Sequence, residues 1–126
     1  MKSIMFCLVL FTTSVTVDLP DMTGITTALK AGNAEDLSSF FSSDVELAIL
    51  DDEDLYSKNE AKELVGAFFT ENPPASFSQV HKGTSKGEDS HYVIGDLVAG
   101  AKTYRIYIYL KEIDDKYQIQ ELRIEE

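Results

Sequence analysis

Histidine is the side chain best suited to moving protons near neutrality, and this sequence has two, His81 and His91. His81 falls in residues 76–85, whose alternation reads as a strand and places it on one face with Phe77 and Gln79. It is a candidate for acid–base work, set against the plainer role of a strand histidine bonded to a neighbour. His91 follows Glu88 and Asp89 and reads as solvated. Two histidines at opposite ends of one hairpin give little support to a three-ligand zinc centre. The acidic run at residues 51–54 invites a calcium reading, but an EF-hand alternates its ligands over about twelve residues around a glycine. Four consecutive acids read instead as a solvated hairpin tip. No metal or cofactor is expected.

A second constellation lies in residues 103–112, which separate into two faces at the period of a strand. Tyr104, Ile106, Ile108 and Leu110 form one, and Arg105, Tyr107, Tyr109 and Lys111 the other. If the aliphatic face covers helices, Arg105, Tyr107 and Tyr109 point outward. Tyrosine and arginine are enriched at interface hot spots, so these three are candidates for a homodimer contact or a protein partner. In the alternative the rings simply cover neighbouring strands.

The elements that must hold these residues follow from hydrophobic periodicity. Ile25, Ala28 and Leu29 share a helical face, and Gly32 fits the left-handed residue that closes a helix. Asn33 caps a second helix, with Ala34, Leu37 and Phe41 as its buried stripe and Phe40 widening it. Val45, Leu47 and Ile49 alternate as a strand, the acids turn the chain, and Leu55-Tyr56 begins the return. Ser57 and Glu60 have the spacing of a capping box, and Ala61, Leu64, Val65 and Phe68 continue a third helix that Pro73 and Pro74 end. Strands are then expected at 76–85, 91–99, 103–112 and 117–124, with turns at 86–89, 100–102 and Asp114-Asp115. In the last strand Tyr117 and Ile119 are out of phase with Leu122 and Ile124, and a bulge near Gln120-Glu121 would bring both pairs inward.

The chain has 126 residues, a size for one domain, and 22 acidic against 11 basic residues give a net charge of −11. Such a surface repels phosphate backbones, so nucleic acid is not an expected partner. Lys2 is the only charge before Asp18, residues 4–11 are apolar, and Thr12, Thr13, Ser14 and Thr16 follow. That order is the anatomy of a secretory signal peptide. Residues 1–17 are therefore expected to be removed, leaving a domain at 18–126 in the periplasm or outside the cell, with no membrane span after cleavage. Cys7, the single cysteine, sits inside the apolar run and would leave with it.

The order ααββαββββ resembles the nuclear transport factor 2-like superfamily, the ketosteroid-isomerase or cystatin-like cone. The phrase AGNAEDLSSFFSSDVEL at 31–47 is similar to the helix-to-strand passage common there. LYSKNEA at 55–61, FFTENPPASF at 68–77, HKGTS at 81–85 and YRIYIYLK at 104–111 further resemble a family of small exported Bacteroidetes proteins, domain of unknown function 4783. The resemblance implies an α+β fold in which a curved, mostly antiparallel sheet of about six strands wraps on three helices. It implies no particular activity. In the wider superfamily ligands sit in the cone, and dimers often form through the sheet. Tyr56, His81, Tyr92 and Asp96 are then the candidates to line a cone pocket for a small ligand. Isomerase chemistry would need a carboxylate base and a buried donor for the enolate oxygen.

Overall fold

The computed structural model describes residues 22–84 and 89–126; the expected signal peptide and the 86–88 part of the expected turn lie outside them. Helix α1, Thr23–Ala31, buries Ile25, Ala28 and Leu29 and ends at Gly32, whose φ of 64° is the left-handed closing conformation. Asn33 caps α2, Ala34–Ser38, by accepting the Asp36 amide at 3.0 Å. This helix is shorter than the apolar stripe suggests. The hydroxyls of Ser38 and Ser39 donate to the Glu35 and Asp36 carbonyls at 2.7 and 2.6 Å. Phe41 is already paired with Ile119, so it opens strand β1, Phe41–Ile49, rather than closing the helix.

Strand β2, Asp52–Ser57, returns antiparallel, with Ile49 opposite Asp52. The turn is therefore Leu50-Asp51, and most of the acidic run is strand rather than loop tip. Helix α3, Lys58–Glu71, starts where expected, Ser57 accepting the Glu60 amide at 3.3 Å. Among the described residues the Glu60 carboxylate returns no bond, so the capping box is half made. Ser57→Ala is expected to cost about 0.5–2 kcal/mol in urea unfolding. A loss below about 0.3 kcal/mol would mean that the helix does not depend on this cap. At the other end Asn72 ties α3 to the sheet by accepting the Tyr104 hydroxyl at 2.9 Å, and Phe68 meets the Tyr104 ring edge-on at 5.1 Å.

The rest of the chain is β3, Ser76–Thr84, β4, Ser90–Ala99, β5, Lys102–Ile113, and β6, Lys116–Glu125. The sheet order is β2-β1-β6-β5-β4-β3, antiparallel except for β1 against β6. Asp114 and Asp115, with φ of 51° and 62°, make the two-residue β5–β6 hairpin turn. That conformation twists in the same sense as the strands it joins. Between Tyr109 and Leu110 the β5–β6 register slips at Gln120, and Ile119, Leu122 and Ile124 are all buried. The bulge expected from the phase change is present, and it adds curvature to the sheet. The helices lie on one side, where Leu29, Leu37, Val45, Val65, Ile106 and Leu122 belong to a single apolar core. No described helix is long and apolar enough to cross a membrane.

Candidate functional site

Strand β3 decides where the candidate residues point. Gln79 pairs with Gly95, but His81 pairs with Ile94, so Val80 is an extra residue in the edge strand. A bulge reverses the alternation beyond it. His81 therefore leaves the face of Phe77 and Gln79 and turns to the outer side of the sheet, while Lys82, opposite buried Val93, turns inward. On β4 the buried residues are Ser90 at the strand's start and then His91, Val93, Gly95, Leu97 and Ala99 on the inner alternation. Tyr92, Ile94, Asp96 and Val98 are half-buried and lie on the outer face. Asp96 and His81 are thus not cone-lining residues as expected; Tyr92 turns its ring to His81 on the outer face but still borders a groove on the helix side. Tyr56 stands alone on β2, the opposite edge strand. Its hydroxyl donates to Asp52 at 3.2 Å. Partial burial, and then the Asp52 carboxylate, raise its pKa above the ordinary phenol value, so it stays protonated at neutrality.

The expected outer placement of Arg105, Tyr107 and Tyr109 is met, since Tyr104, Ile106, Ile108 and Leu110 are buried. Register then assembles three adjacent rows across β3, β4, β5 and β6. One runs Gly83–Tyr92–Tyr109–Glu121, the next His81–Ile94–Tyr107–Arg123, and the third Ser78–Asp96–Arg105–Glu125. Neighbouring strands lie about 4.8 Å apart, so the side chains of a row are in reach of one another. The His81 and Tyr92 rings are 5.6 Å apart, with Nε2 and hydroxyl at 3.2 Å. The Tyr92 ring occupies the space where a side chain on Gly83 would stand, which accounts for a glycine there. Arg105 Nε donates to Asp96 at 2.7 Å. Arg123 reaches Glu53 at 3.2 Å, Glu121 at 3.5 Å and Glu125 at 3.6 Å. Chiefly Glu53 holds its guanidinium above the usual pKa. These are the only two arginines in the chain, and both stand on this face. Leu55, 60% exposed, extends the apolar area toward β2.

On the helix side a groove of about 620 Å³ opens between α1 and the β3–β4 pair. Thr23, Thr26, Thr27 and Lys30 line one wall, and Gln79, Lys82, Thr84, His91 and Val93 the other. His91 was expected to be solvated, yet it is only 6% exposed. It shares the inner face with Val93, its ring meets Tyr117 edge-on at 5.1 Å, and Nδ1 lies 3.2 Å from the Thr84 hydroxyl. Its Nε2 is buried with no hydrogen-bond partner among the described residues. Leaving such a group unpaired costs about 1–3 kcal/mol. Apart from Tyr92, none of these lining residues was a sequence candidate for a site, but one signal was readable. Residues 23, 26, 27 and 30 have i, i+3, i+4, i+7 spacing, which puts three threonines and a lysine on one helix face. Among the described residues no group of three His, Cys, Asp or Glu side chains is placed to hold a metal ion.

Solved structures share this architecture. A DUF4783 family protein from Bacteroides ovatus superposes with a TM-score of 0.79 at 28% identity, over 88% of this chain and 97% of that one. One from Bacteroides fragilis gives 0.78 at 28% identity, over 86% and 99%. A protein of unknown function with a cystatin-like fold from Nostoc punctiforme gives 0.61 at 15% identity, over 81% and 82%, a likeness of fold alone. No curated protein matches the chain. The family model for the domain of unknown function DUF4783 matches residues 22–125, and the chain belongs to that family.

Proposed function

We propose that the protein is an exported, non-catalytic binding module that pairs with a second copy of itself through the outer face of β3, β4, β5 and β6. The observation that carries this reading is the gathering of His81, Tyr92, Asp96, Arg105, Tyr107 and Tyr109 on one face of the sheet, opposite the helices. Adjacent residues of opposite charge, Asp96 with Arg105 and Arg123 with Glu121, make a surface complementary to itself under a twofold rotation. A net charge of −11 opposes the approach of like molecules, and concentrating both arginines here weakens that repulsion where two copies would meet. Sedimentation velocity over a wide concentration range is expected to show a reversible dimer. A protein that stays monomeric at the highest concentration would refute self-association and assign the face to a different protein.

Export rests on the order of charge, apolar run and small polar residues in 1–17. N-terminal sequencing of the soluble protein from its native cell is expected to begin between Asp18 and Thr23. Recovery of an intact Met1 would overturn it. The groove favours a second reading, a small ligand held on the helix side while the outer face meets protein. Isomerase chemistry gains nothing from it, because its described lining contains no carboxylate to act as base.

A further inference from the structure

We propose that the groove between α1 and the β3–β4 pair binds a small amphiphilic organic anion, with its carboxylate or phosphate head held by Lys30 and Lys82. This rests on the second reading, that the groove is a ligand site, and adds the class of ligand. Three independent observations converge on it. The first is charge. The sequence has twice as many acids as bases, 22 against 11, yet the described lining contains no Asp or Glu and two lysines. Lys30 comes from the last turn of α1 and Lys82 from β3, so the two ammonium groups enter from opposite walls. Neither has an ion-pair partner among the described residues, in contrast to Arg105 and Arg123 on the other side of the sheet. Lys82 faces inward only because of the extra residue at Val80; without that bulge His81 would take its place.

The second observation is size and polarity. A volume of about 620 Å³ lies within the range of small-molecule sites. Thr26, Thr27, Thr84 and Gln79 supply hydroxyls and an amide, whereas Met22 and Val93 supply apolar wall. That mixture suits a ligand with a charged head and an apolar body. The third is His91, which lines the groove and keeps a buried, unpartnered Nε2. Its Nδ1 lies 3.2 Å from the hydroxyl of Thr84, which also lines the groove, and a polar group of the ligand joining this pair is what would relieve the unmet bond of the ring.

The test uses 4-phenylbutyrate and phenyl phosphate as anionic probes and 4-phenylbutan-1-ol as the neutral counterpart of the first. Each is titrated into isotopically labelled protein while the Thr26, Thr84 and His91 signals are followed by NMR. Both lysines are exposed, so Lys30→Gln with Lys82→Gln removes the charge without touching the core. Saturable shifts with the anions are expected at these three residues, with the alcohol binding at least about tenfold more weakly. In the double glutamine variant the anions should fall to the level of the alcohol, whose own affinity should not change. Acid and alcohol binding alike would overturn the anion assignment while leaving the groove a ligand site. No localised shift with any of the three probes would overturn both. If phenyl phosphate alone shifts these residues, the head is a phosphate; if phenylbutyrate alone does so, it is a carboxylate.

Discussion

Tyr107→Ser together with Tyr109→Ser is expected to leave a folded monomer where the unmodified protein sediments as a dimer. The two rings stand on neighbouring rows of the outer face, flanked by Tyr92 and Ile94 on β4 and by Glu121 and Arg123 on β6. Successive same-face residues on a strand are about 7 Å apart, so the rings form one continuous patch. A hot-spot tyrosine contributes about 2 kcal/mol, or about thirtyfold in Kd. Losing both rings should raise the dimer Kd by at least about three orders of magnitude, a lower bound because a twofold contact uses each residue twice. The Asp96–Arg105 pair serves as an internal comparison. Its side chains are 34% and 44% exposed, so Arg105→Ala should change dimer affinity far less than the rings do. Circular dichroism should be unchanged in all three proteins. A double variant that remains a dimer would move the interface elsewhere, and one that unfolds would mean that the rings support the core.

Whether a strand's phase can be read depends on how many buried residues it has. Strand β5 has four inward positions filled by Tyr104, Ile106, Ile108 and Leu110, and its faces are plain in the sequence. In β6 the slip shows because buried residues flank it on both sides, Ile119 before and Leu122 and Ile124 after. Strand β3 lies at the sheet edge and buries only Phe77, so no second apolar residue reports the reversal at Val80. The misplacement of His81 follows from that silence. In β4 both alternations are apolar: Val93, Leu97 and Ala99 against Tyr92, Ile94 and Val98. Gly95, the inward position between Val93 and Leu97, contributes no side chain to distinguish them, because the Phe77 ring fills that space. Asp96 could therefore be assigned to either face until register paired it with Arg105.

The same physics hid the groove. Its residues come from α1, β3 and β4, and they meet only because β3 is placed against α1 at the sheet edge. The threonines of α1 at helical spacing mark a polar face but not what it faces. His91 looks solvated from its neighbours in the chain. Asp89 and Ser90 precede it, yet the strand turns its ring inward against Tyr117, which is distant in sequence. Local polarity predicts exposure poorly at a strand end, where one residue decides the face.

Ile106→Ala is expected to produce the largest loss of stability, about 2–5 kcal/mol. Ile106 is wholly buried, opposite Gly95 on β4 and Ile124 on β6. Gly95 has no side chain to move into the space, and the Phe77 ring that covers it is itself packed in the core. The cavity left by the lost carbons should therefore stay open rather than collapse, which places the cost toward the upper part of that range. Against a typical total of about 5–15 kcal/mol this is a large fraction of what holds a domain together. A dimer's stability depends on protein concentration, so the substitution belongs in the Tyr107→Ser, Tyr109→Ser background, where the monomer is the only folded species. Urea unfolding should then show a lower midpoint with an unchanged slope, the signature of lost stability without a change in exposed area. Compared at a protein concentration where the unmodified chain is monomeric, the paired serines alone should shift the midpoint far less, because the tyrosine rings are only half-buried on the outer face. If instead the serines cost more than Ile106→Ala, the helices cover the tyrosine side of β5. The protein interface and the groove would then have to exchange places.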